Sequence, residues 1–362
     1  MTGTVMITTG GTGGHIFPGL AVAAELAARG WRVFWLGTRG GMEAKLVPDN
    51  RVDFEGLNFV GVRGKGLSRL LLGPLAILSA CWQARRIIRR RKPNVVLGFG
   101  GFASFPGALM AVAQNIPLVI HNLDARAGLA NRVLRFGAER ILTGFPDTFG
   151  AGLRKNVEWT GNPLRADIVA IDAPEHRFAG RRGPLYVLVL GGSLGAAALN
   201  ERVPRALALL PEADRPRVTH QAGEKHIDSL RAAYAGADVN AECLPFIDDI
   251  AKRYADADVV ICRAGATTVA ELSAVGIASI LVPFPHAADD HQVDNARQLA
   301  ARGAAELIAQ QDLTPERLAA WIRSATREGL LAMAVAARRL RKADATSRVA
   351  DVCIAVAAGT EA

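Results

Sequence analysis

A single histidine near the start of the chain lies among glycines. The stretch TTGGTGGHIFPGLAVA, from Thr8 to Ala23, places five glycines within five positions of His15. A glycine turn that enters a helix directs backbone N–H groups and the positive end of the helix dipole at one point, which suits a phosphate. An imidazole with its ordinary pKa near 6.5 suits proton transfer at neutral pH, and the dipole disfavours imidazolium. His15 is therefore a candidate general base, a phosphate contact or only a residue that caps the turn.

A second glycine turn repeats the first one 181 residues later. This offset aligns GGSLG at Gly191–Gly195 with GGTGG at Gly10–Gly14, and it places Ser193 on Thr12. Neither turn carries the G-x-G-x-x-G dinucleotide fingerprint or a G-x-x-x-x-G-K-[ST] phosphate loop, so NAD enzymes and P-loop NTPases are disfavoured. The second turn is a candidate for binding a diphosphate, to which Ser193 would add a hydroxyl donor.

The sequence GGSLG also matches the nucleophile elbow of α/β-hydrolases. In that alternative Ser193 attacks an acyl carbon, and Asp248 with His286 or His291 completes a catalytic triad. A hydrolase gives no reason for a copy of the turn at the start of the chain. The hydrolase is the weaker alternative, and it stays open.

Further polar turns follow apolar runs in the second half. In CRAGATTVAEL, Thr267 and Thr268 are available as helix caps or hydroxyl donors, and the Glu271 carboxylate is suited to accept both hydroxyls of a ribose or merely to compensate the helix dipole. The loop PFPHAADDHQVDNA mixes histidines with acids, but its spacing predicts a solvated loop and no metal site. Asp256 and Asp258 resemble a metal-binding D-x-D motif, yet their position predicts an ordinary strand start.

The formal charge of +9 favours anionic partners. The segment Leu67–Pro93 places a thirteen-residue apolar stretch, too short to span a bilayer core of ~30 Å, before a run of cations. It predicts either an interfacial segment on an anionic membrane or a core helix with a solvated basic end. Because the cations lie beside aliphatic and not stacking aromatic residues, we predict no nucleic-acid partner. Four scattered cysteines indicate neither disulfides nor a metal site and favour a cytoplasmic location.

Strands and helices must position these turns, and the pattern of apolar residues along the chain predicts both. TVMITTGG, WRVFWLG, NVVLGFGG and PLVIHN read as buried parallel strands, with a helix over PGLAVAAELAARG after the first. The second half restarts with GPLYVLVLGGSLG and continues with ADVVICRAG and ASILVPF. We predict an α/β protein of two Rossmann-like domains, residues 1–163 and 164–344, with a helix at about 345–360 that packs back on the first. GNPLRADIVAIDAPEHRFAGRRGP is the predicted linker.

Taken together in order, the motifs resemble the MurG family over nearly the whole chain. They are GGTGGHIFPGLAVA, GFGGFASFPG, TGNPLR, GGSLGAAALN, FIDDI, CRAGATTVAEL and PFPHAADDHQVDNA. These enzymes transfer N-acetylglucosamine (GlcNAc) from UDP-GlcNAc to lipid I, which gives lipid II for peptidoglycan. The resemblance implies a GT-B fold, two Rossmann-like domains with parallel sheets facing across a cleft. It also implies inverting transfer without metal or cofactor, and a peripheral location on the cytoplasmic face of the inner membrane.

Family roles carry over to matching positions of this chain. The resemblance implies that the second half holds UDP-GlcNAc and the first half meets lipid I and the anionic membrane. Ile247 would meet uracil through its backbone. His15 is the predicted base or acceptor-orienting group because of its pKa and the helix dipole, as given above, and not because of the resemblance. The implied binding residues are Thr12, Gly13, Gly14, Asp124, Arg165, Ser193, Ile247, Ala266, Thr267, Thr268, Val269, Ala270, Glu271 and Gln292.

The chain departs from the family pattern after the strand PLVIHN. Where the family commonly has His-Glu-Gln-Asn, this chain reads His-Asn-Leu-Asp from His121 to Asp124, so Asp124 takes the place of an asparagine. GGSLG replaces Gly-Gly-Ser-Gln-Gly, and His291 with Gln292 replaces a Gln-Gln pair. Other UDP-sugar glycolipid transferases and a nucleotide-sugar epimerase of the same fold stay open as alternatives.

Overall fold

A computed structural model describes residues 2–59, 67–150, 156–192, 195–285, 287 and 290–360, without the side chains of 67–72. Ser193, His286 and Asp289, which the sequence analysis singled out, lie outside the described residues. The chain divides into two compact units. Unit 1 is Met1–Arg165 with Lys342–Ala362, and unit 2 is Ala166–Arg341.

Each unit is built on a parallel sheet. The strands of unit 1 are β1 (Thr4–Thr8), β2 (Arg32–Thr38), β3 (Asp53–Leu57), β4 (Val95–Gly98), β5 (Leu118–Asn122), β6 (Arg140–Thr143) and β7 (Val157–Trp159). Those of unit 2 are β8 (Tyr186–Leu190), β9 (Arg217–Gln221), β10 (Glu242–Leu244), β11 (Val259–Cys262), β12 (Ala278–Leu281) and β13 (Glu306–Leu307). The orders are β3-β2-β1-β4-β5-β6-β7 and β10-β9-β8-β11-β12-β13. Both orders reverse direction beside the first strand of the unit, which is the position where α/β sheets bind ligands.

Helices cover both sheets. The α-helices that precede β13 are α1 (Gly13–Ala28), α2 (Glu43–Asp49), α3 (Leu67–Arg91), α4 (Ser104–Val112), α5 (Leu129–Leu134), α6 (Ala166–Val169), α7 (Pro174–Phe178), α8 (Ala197–Ala208), α9 (Ile227–Gly236), α10 (Ile250–Asp256), α11 (Ala266–Val275) and α12 (His291–Ala300). After β13 come α13 (Pro315–Ser324), α14 (Arg327–Arg338) and α15 (Ala345–Ala358). Among the described residues, none of these helices is both long and apolar enough to cross a membrane.

One predicted helix start was wrong, and the predicted linker holds more regular structure than its composition indicated. Helix α1 begins at Gly13 and not at Pro18, which lies inside it. The two glycines of its first turn have poor helix propensity, so the apolar pattern did not detect that turn. The predicted linker is also partly helical, because it contains α6 and α7. Arg177 of α7 donates to the carbonyl oxygens of Tyr254 at 3.3 Å and Val275 at 3.1 Å, which ties this segment to unit 2.

Helix α15 packs in unit 1, although the whole of unit 2, Ala166–Arg341, separates it in sequence from the first part of that unit. Val349, Val352 and Val356 are buried on its inner face. Arg348 donates to both carboxylate oxygens of Glu158 in β7, at 2.5 and 2.9 Å. Thr346 exchanges hydrogen bonds with the backbone of Leu164, accepting from its N–H at 3.0 Å and donating to its carbonyl at 2.9 Å.

Candidate functional site

The first glycine turn lies at the carboxyl edge of the unit 1 sheet. Strands β1, β4 and β5 are adjacent there, and Thr8 is in register with Gly98. The N–H of Phe99 donates to the Thr8 carbonyl at 3.2 Å, and the Thr9 hydroxyl donates to the Gly100 carbonyl at 3.4 Å. This edge therefore brings together the turn before α1, the GFGG turn after β4 and the loop after β5, which carries Asp124.

His15 lies in the first turn of α1. Gly11 has a φ of +114°, a backbone conformation that suits glycine, and Thr12 follows as the N-cap residue in an extended conformation. The Thr12 carbonyl accepts from the His15 N–H at 3.0 Å, while Thr12 and Gly14 are exposed, His15 is half-buried and Gly13 is buried. The imidazole is thus carried by the positive end of a sixteen-residue helix.

Glu43 holds this turn from behind, and the sequence analysis missed it. Its fully buried carboxylate accepts from the N–H and hydroxyl of Thr38, at 2.9 and 2.7 Å, and from the Gly11 N–H at 3.3 Å. A Cβ atom at Gly10, Gly37 or Gly41 would lie within 2.6 Å of Glu43 side-chain atoms. These three glycines make the space that the carboxylate fills, a signal visible in the sequence only once the fold brings them together.

Arg165 lies beside α1 in unit 1. Its guanidinium carbon lies 5.6 Å from the centre of the Phe17 ring, two residues after His15. This distance is within the range of a cation–π contact. A Cβ atom at Gly13 would lie 3.1 Å from the same Phe17 ring, so the structure brings Arg165 to the first turn of α1.

The loop after β5 is organised by Asn122, which stands at the first departure from the family pattern. Its amide donates to the carbonyls of Asp124 at 2.7 Å and Arg126 at 3.1 Å, and its oxygen accepts from Gly128 N–H at 3.2 Å and Asn131 at 3.0 Å. Asp124 itself is half-buried at this edge. Asn122 therefore fixes the path of the backbone on both sides of Asp124.

Unit 2 gathers its predicted residues at the carboxyl edge of the second sheet. Strands β8, β11 and β12 are adjacent, and Leu190, Cys262 and Leu281 are in register at their ends. The turn after β8, the start of α11 and the loop into α12 therefore follow neighbouring strand ends. Gly192 has a φ of +76°, like Gly11 in a left-handed conformation. Ser193, between the described parts of this turn, keeps its predicted role as a prediction.

Helix α11 supplies the largest group of predicted binding residues. Its N-cap is Gly265 and no side chain caps it, so Thr267 and Thr268 lie inside the first turn and are not the N-cap. Ala266, Val269 and Ala270 complete this segment, whose N-terminal end carries the positive dipole. Glu271 lies in the second turn, and its Oε2 accepts from the Tyr254 hydroxyl at 3.1 Å.

Ile247 lies in the loop between β10 and α10, and Gln292 lies at the start of α12, after β12. The Ile247 side chain is buried, so its backbone is the part it can offer to a ligand. Gln292 lies at the second position of α12, where its Oε1 accepts from the Phe284 N–H at 2.9 Å. Asn295 of the same helix is buried and donates to the Ala264 carbonyl at 3.1 Å, which joins α12 to the turn before α11.

Arg263 is a second residue that the sequence analysis missed. It follows β11 directly and donates to the carbonyls of Val282 at 3.1 Å and Pro283 at 3.3 Å and to Gln310 Oε1 at 2.6 Å. Burial lowers the pKa of its guanidinium. Arg263 thereby holds the chain directly after β12, at Val282 and Pro283, where the loop toward Gln292 begins. A cation directly after a buried strand was the only local signal for it.

Asp258 confirms the ordinary interpretation of the D-x-D stretch. Its buried carboxylate accepts from the Tyr186 N–H at 2.8 Å and pairs with Arg181 at 2.6 Å and Arg327 at 3.3 Å. It lies at the strand start, at the opposite end of β11 from Cys262. Over the described ranges, no group of three or more His, Cys, Asp or Glu side chains is arranged to hold a metal ion.

Comparison with known proteins gives a consistent result over both units. Residues 5–143 match the Glycosyltransferase family 28 N-terminal domain, and residues 186–349 match the Glycosyltransferase family 28 C-terminal domain. A protein of Cupriavidus necator named UDP-N-acetylglucosamine–N-acetylmuramyl-(pentapeptide) pyrophosphoryl-undecaprenol N-acetylglucosamine transferase is 56% identical, with 98% of each chain covered. A protein of the same name from Aromatoleum aromaticum is 57% identical, again with 98% of each covered.

The crystal structure of Acinetobacter baumannii MurG matches 97% of this chain and 99% of its own, with a TM-score of 0.81 and 40% identity. The chain belongs to the MurG family of glycosyltransferases. The MurG resemblance of the motifs and the GT-B fold class are thereby confirmed. The match runs through both units, so both glycine turns belong to the shared fold. The roles of individual residues in this MurG chain are not tested by the comparisons and stay predictions.

Proposed function

We propose that this chain transfers GlcNAc from UDP-GlcNAc to the 4-hydroxyl of the MurNAc sugar of lipid I, which forms lipid II. The observation that carries the proposal is the gathering of the glycine turn after β8, the start of α11 and the loop into α12 at neighbouring strand ends. This arrangement occurs in a chain more than half identical to transferases of that name. We assign UDP-GlcNAc to unit 2 and lipid I to unit 1.

The donor assignment follows from charge and from hydrogen-bond chemistry. The N-terminal end of α11 and the turn at Gly191–Gly192, with Ser193, would stabilise the diphosphate, and Arg165 would add a cation. Glu271 would accept the ribose hydroxyls, the Ile247 backbone would meet uracil, and Gln292 would contact the sugar. These contacts favour UDP as the leaving group because they neutralise the charge that develops on it.

His15 is assigned as the base that takes the acceptor proton. The oxygen of the 4-hydroxyl attacks C1 of GlcNAc from the face opposite UDP, and the bond from C1 to the phosphate oxygen breaks with its electron pair left on UDP. The hydroxyl proton passes to a nitrogen of the His15 imidazole, which lies at the end of α1 where the helix dipole disfavours a cation. The product is a β-linked disaccharide.

The function is tested with purified protein, UDP-GlcNAc and a lipid I analogue in EDTA. We expect UDP release that depends on the acceptor, and a β-linked disaccharide product by NMR. UDP-GlcNAc turnover without acceptor would favour the epimerase, and labelling of Ser193 by a fluorophosphonate would favour the hydrolase. Transfer that stops in EDTA and returns with a divalent cation would contradict the metal-independent mechanism.

The base assignment is tested separately with His15→Ala and His15→Asn. Loss of a general base typically lowers kcat by about 10²- to 10⁴-fold, with the binding of UDP unchanged. His15→Asn keeps a hydrogen-bonding side chain and therefore separates proton transfer from acceptor orientation. Near-normal kcat with only a raised KM for UDP-GlcNAc would show that His15 is a phosphate contact.

We also propose that α3 binds the surface of an anionic membrane. Leu75, Leu78 and Trp82 are 62%, 65% and 59% exposed, and their spacing places them on one face of the helix. Arg85, Arg86 and Arg89 are exposed on or next to the same face, and the Arg86 guanidinium carbon lies 4.7 Å from the centre of the Trp82 ring. Exposed apolar groups flanked by cations suit an interface in which side chains insert while cations meet lipid phosphates.

The basic run is not uniform, and its other members provide a control. Arg90 pairs with Glu55 at 2.7 Å, and Arg91 pairs with Asp53 at 2.6 Å, so these two cations are engaged by β3. We expect Arg85→Gln with Arg86→Gln to weaken co-sedimentation with anionic vesicles more than Arg90→Gln with Arg91→Gln does, although both pairs remove two charges. Binding that is insensitive to anionic lipid and to salt would contradict a peripheral, membrane-surface location for this chain.

A further inference from the structure

The predicted ribose-binding carboxylate has a buried partner that no motif identified. Tyr254 of α10 is only 1% exposed, and its hydroxyl donates to Glu271 Oε2 at 3.1 Å. Glu271 is half-buried at the edge where ligands are expected, so one side of its carboxylate faces the interior of unit 2. The interior side of Glu271 is therefore held by a neutral hydroxyl donor.

A free glutamate side chain rotates about three bonds, and a ribose diol requires both carboxylate oxygens in one orientation. A carboxylate oxygen has two lone pairs, so Oε2 can accept from Tyr254 and from a ribose hydroxyl at the same time. We propose that Tyr254 is a positioning residue for the ribose of the uridine nucleotide, which it serves by fixing the Glu271 carboxylate. This inference rests on the proposed function, in which unit 2 binds UDP-GlcNAc.

The two helices that carry Tyr254 and Glu271 are linked by Arg177. Arg177 donates to the Tyr254 carbonyl at 3.3 Å and to the Val275 carbonyl, at the C-terminal end of α11, at 3.1 Å. It therefore joins the helix that carries the tyrosine to the helix that carries the glutamate. Burial lowers the pKa of the Arg177 guanidinium to about 10, which leaves it protonated at neutral pH.

Glu271 is the sixth residue of α11, in the second turn of the helix that follows β11. Burial, and then the charge of Glu271, raise the pKa of the Cys262 thiol at the end of that strand. A carboxylate fixed at this point, close to the N-terminal turn of α11, is placed to meet a ribose whose phosphates occupy that turn.

The test compares the binding of UDP and 2′-deoxy-UDP to Tyr254→Phe by titration calorimetry. We expect UDP to bind about 5- to 10-fold more weakly, which is the factor for one hydrogen bond between Glu271 and the ribose that no longer forms. The affinity for 2′-deoxy-UDP should change much less. The preference for the ribonucleotide therefore falls. A purely structural tyrosine would weaken both nucleotides equally, so an unchanged ratio would overturn the inference.

Tyr234→Phe is the matched control. Tyr234 is also buried in unit 2, and its hydroxyl contacts His220 at 3.0 Å, so its loss costs stability without touching Glu271. We expect this variant to keep the wild-type ratio of UDP to 2′-deoxy-UDP affinity. Wild-type protein that binds UDP without preference over 2′-deoxy-UDP would overturn the ribose role, whereas wild-type protein that binds no UDP would overturn the proposed function itself.

A second measurement does not depend on the folding of a variant. The chain has three tyrosines, so incorporation of 3-fluorotyrosine gives three ¹⁹F resonances, of which Tyr186 and Tyr234 serve as internal references. We expect UDP to shift the Tyr254 resonance more than 2′-deoxy-UDP does. Equal shifts with both nucleotides would contradict a link between Tyr254 and the ribose.

Discussion

Acid should destabilise unit 2 well above the pH range in which carboxylates protonate, because of the buried His220. Its Nε2 lies 3.1 Å from Asn200 Oδ1, and the Asn200 amide donates to the Ala222 carbonyl at 3.2 Å, which fixes the orientation of that amide. His220 Nε2 therefore carries the hydrogen, and Nδ1 accepts from the Tyr234 hydroxyl at 3.0 Å. The ring is fully buried with both nitrogens used, so the folded state holds the neutral form.

The magnitude follows from the two pKa values of His220. Burial lowers the pKa of His220 in the folded state to about 3, whereas the unfolded chain protonates near 6.5. The unfolded state therefore binds more protons below pH 6.5, and stability falls with pH from there down to about 3. At pH 5, roughly 1.5 units below the unfolded value, the loss is about 2 kcal/mol.

Hydrogen exchange read by peptide mass spectrometry at pH 7 and pH 5 measures this loss for each sheet separately. His220→Gln removes the titrating group. The β8–β13 sheet of this variant should be less stable at pH 7, but its free energy of opening should fall by about 2 kcal/mol less on acidification than in wild type. His176→Gln, which removes an exposed histidine of α7 in the same unit, is the control. A free energy for the β8–β13 sheet that changes by less than about 0.5 kcal/mol in wild type would refute the argument.

Two further predictions concern buried carboxylates. Glu43→Gln replaces an acceptor of three hydrogen bonds, so we expect unit 1 to lose about 1.5–3 kcal/mol of stability. We also expect the kcat/KM for the acceptor to fall more than the affinity for UDP, to which unit 1 contributes Arg165. A UDP affinity in calorimetry that falls as much as the acceptor kcat/KM would contradict the assignment of UDP to unit 2. Asp258→Asn leaves Arg181 and Arg327 partly buried without their charge partner, so unit 2 should lose about 3–5 kcal/mol in chemical denaturation. Full transferase activity at low temperature is expected for Asp258→Asn, and its loss there would reopen the metal-binding interpretation.

The parts of the fold that could be predicted have local signals. Apolar runs such as TVMIT, followed by glycine, identify buried parallel strands and their turns, and the repeat of one turn after 181 residues indicates two similar halves. The same signals located His15 at a helix start and Glu271 in an early turn of α11. The candidate residues that follow strand ends could be grouped from the sequence, because adjacent parallel strands place their carboxyl ends on one edge of the sheet.

The parts that were missed depend on contacts between distant segments. Tyr254 and Glu43 have no motif, since each acts through a partner that only the sheet order brings near. Helix propensity failed at Gly13, where a glycine begins α1, and at α7 inside the predicted linker. Polar contacts of this kind satisfy buried atoms after the fold has formed, so residue type and spacing alone do not encode them.

The two glycine turns are alike in sequence but differ in what lies behind them, and this difference decides which suits the donor diphosphate. Behind the first turn the Gly11 N–H already donates to a carboxylate oxygen of Glu43 at 3.3 Å, so an anion would have to compete with that oxygen for the N–H. Behind the second turn the neutral amide of Gln221 donates to the Gly192 carbonyl at 3.4 Å. This side-chain amide carries no charge. In addition, the positive end of the α11 dipole lies after β11, which is the strand next to β8. We therefore predict that the second turn binds the donor diphosphate and that the first turn accommodates the neutral acceptor hydroxyl beside the His15 imidazole.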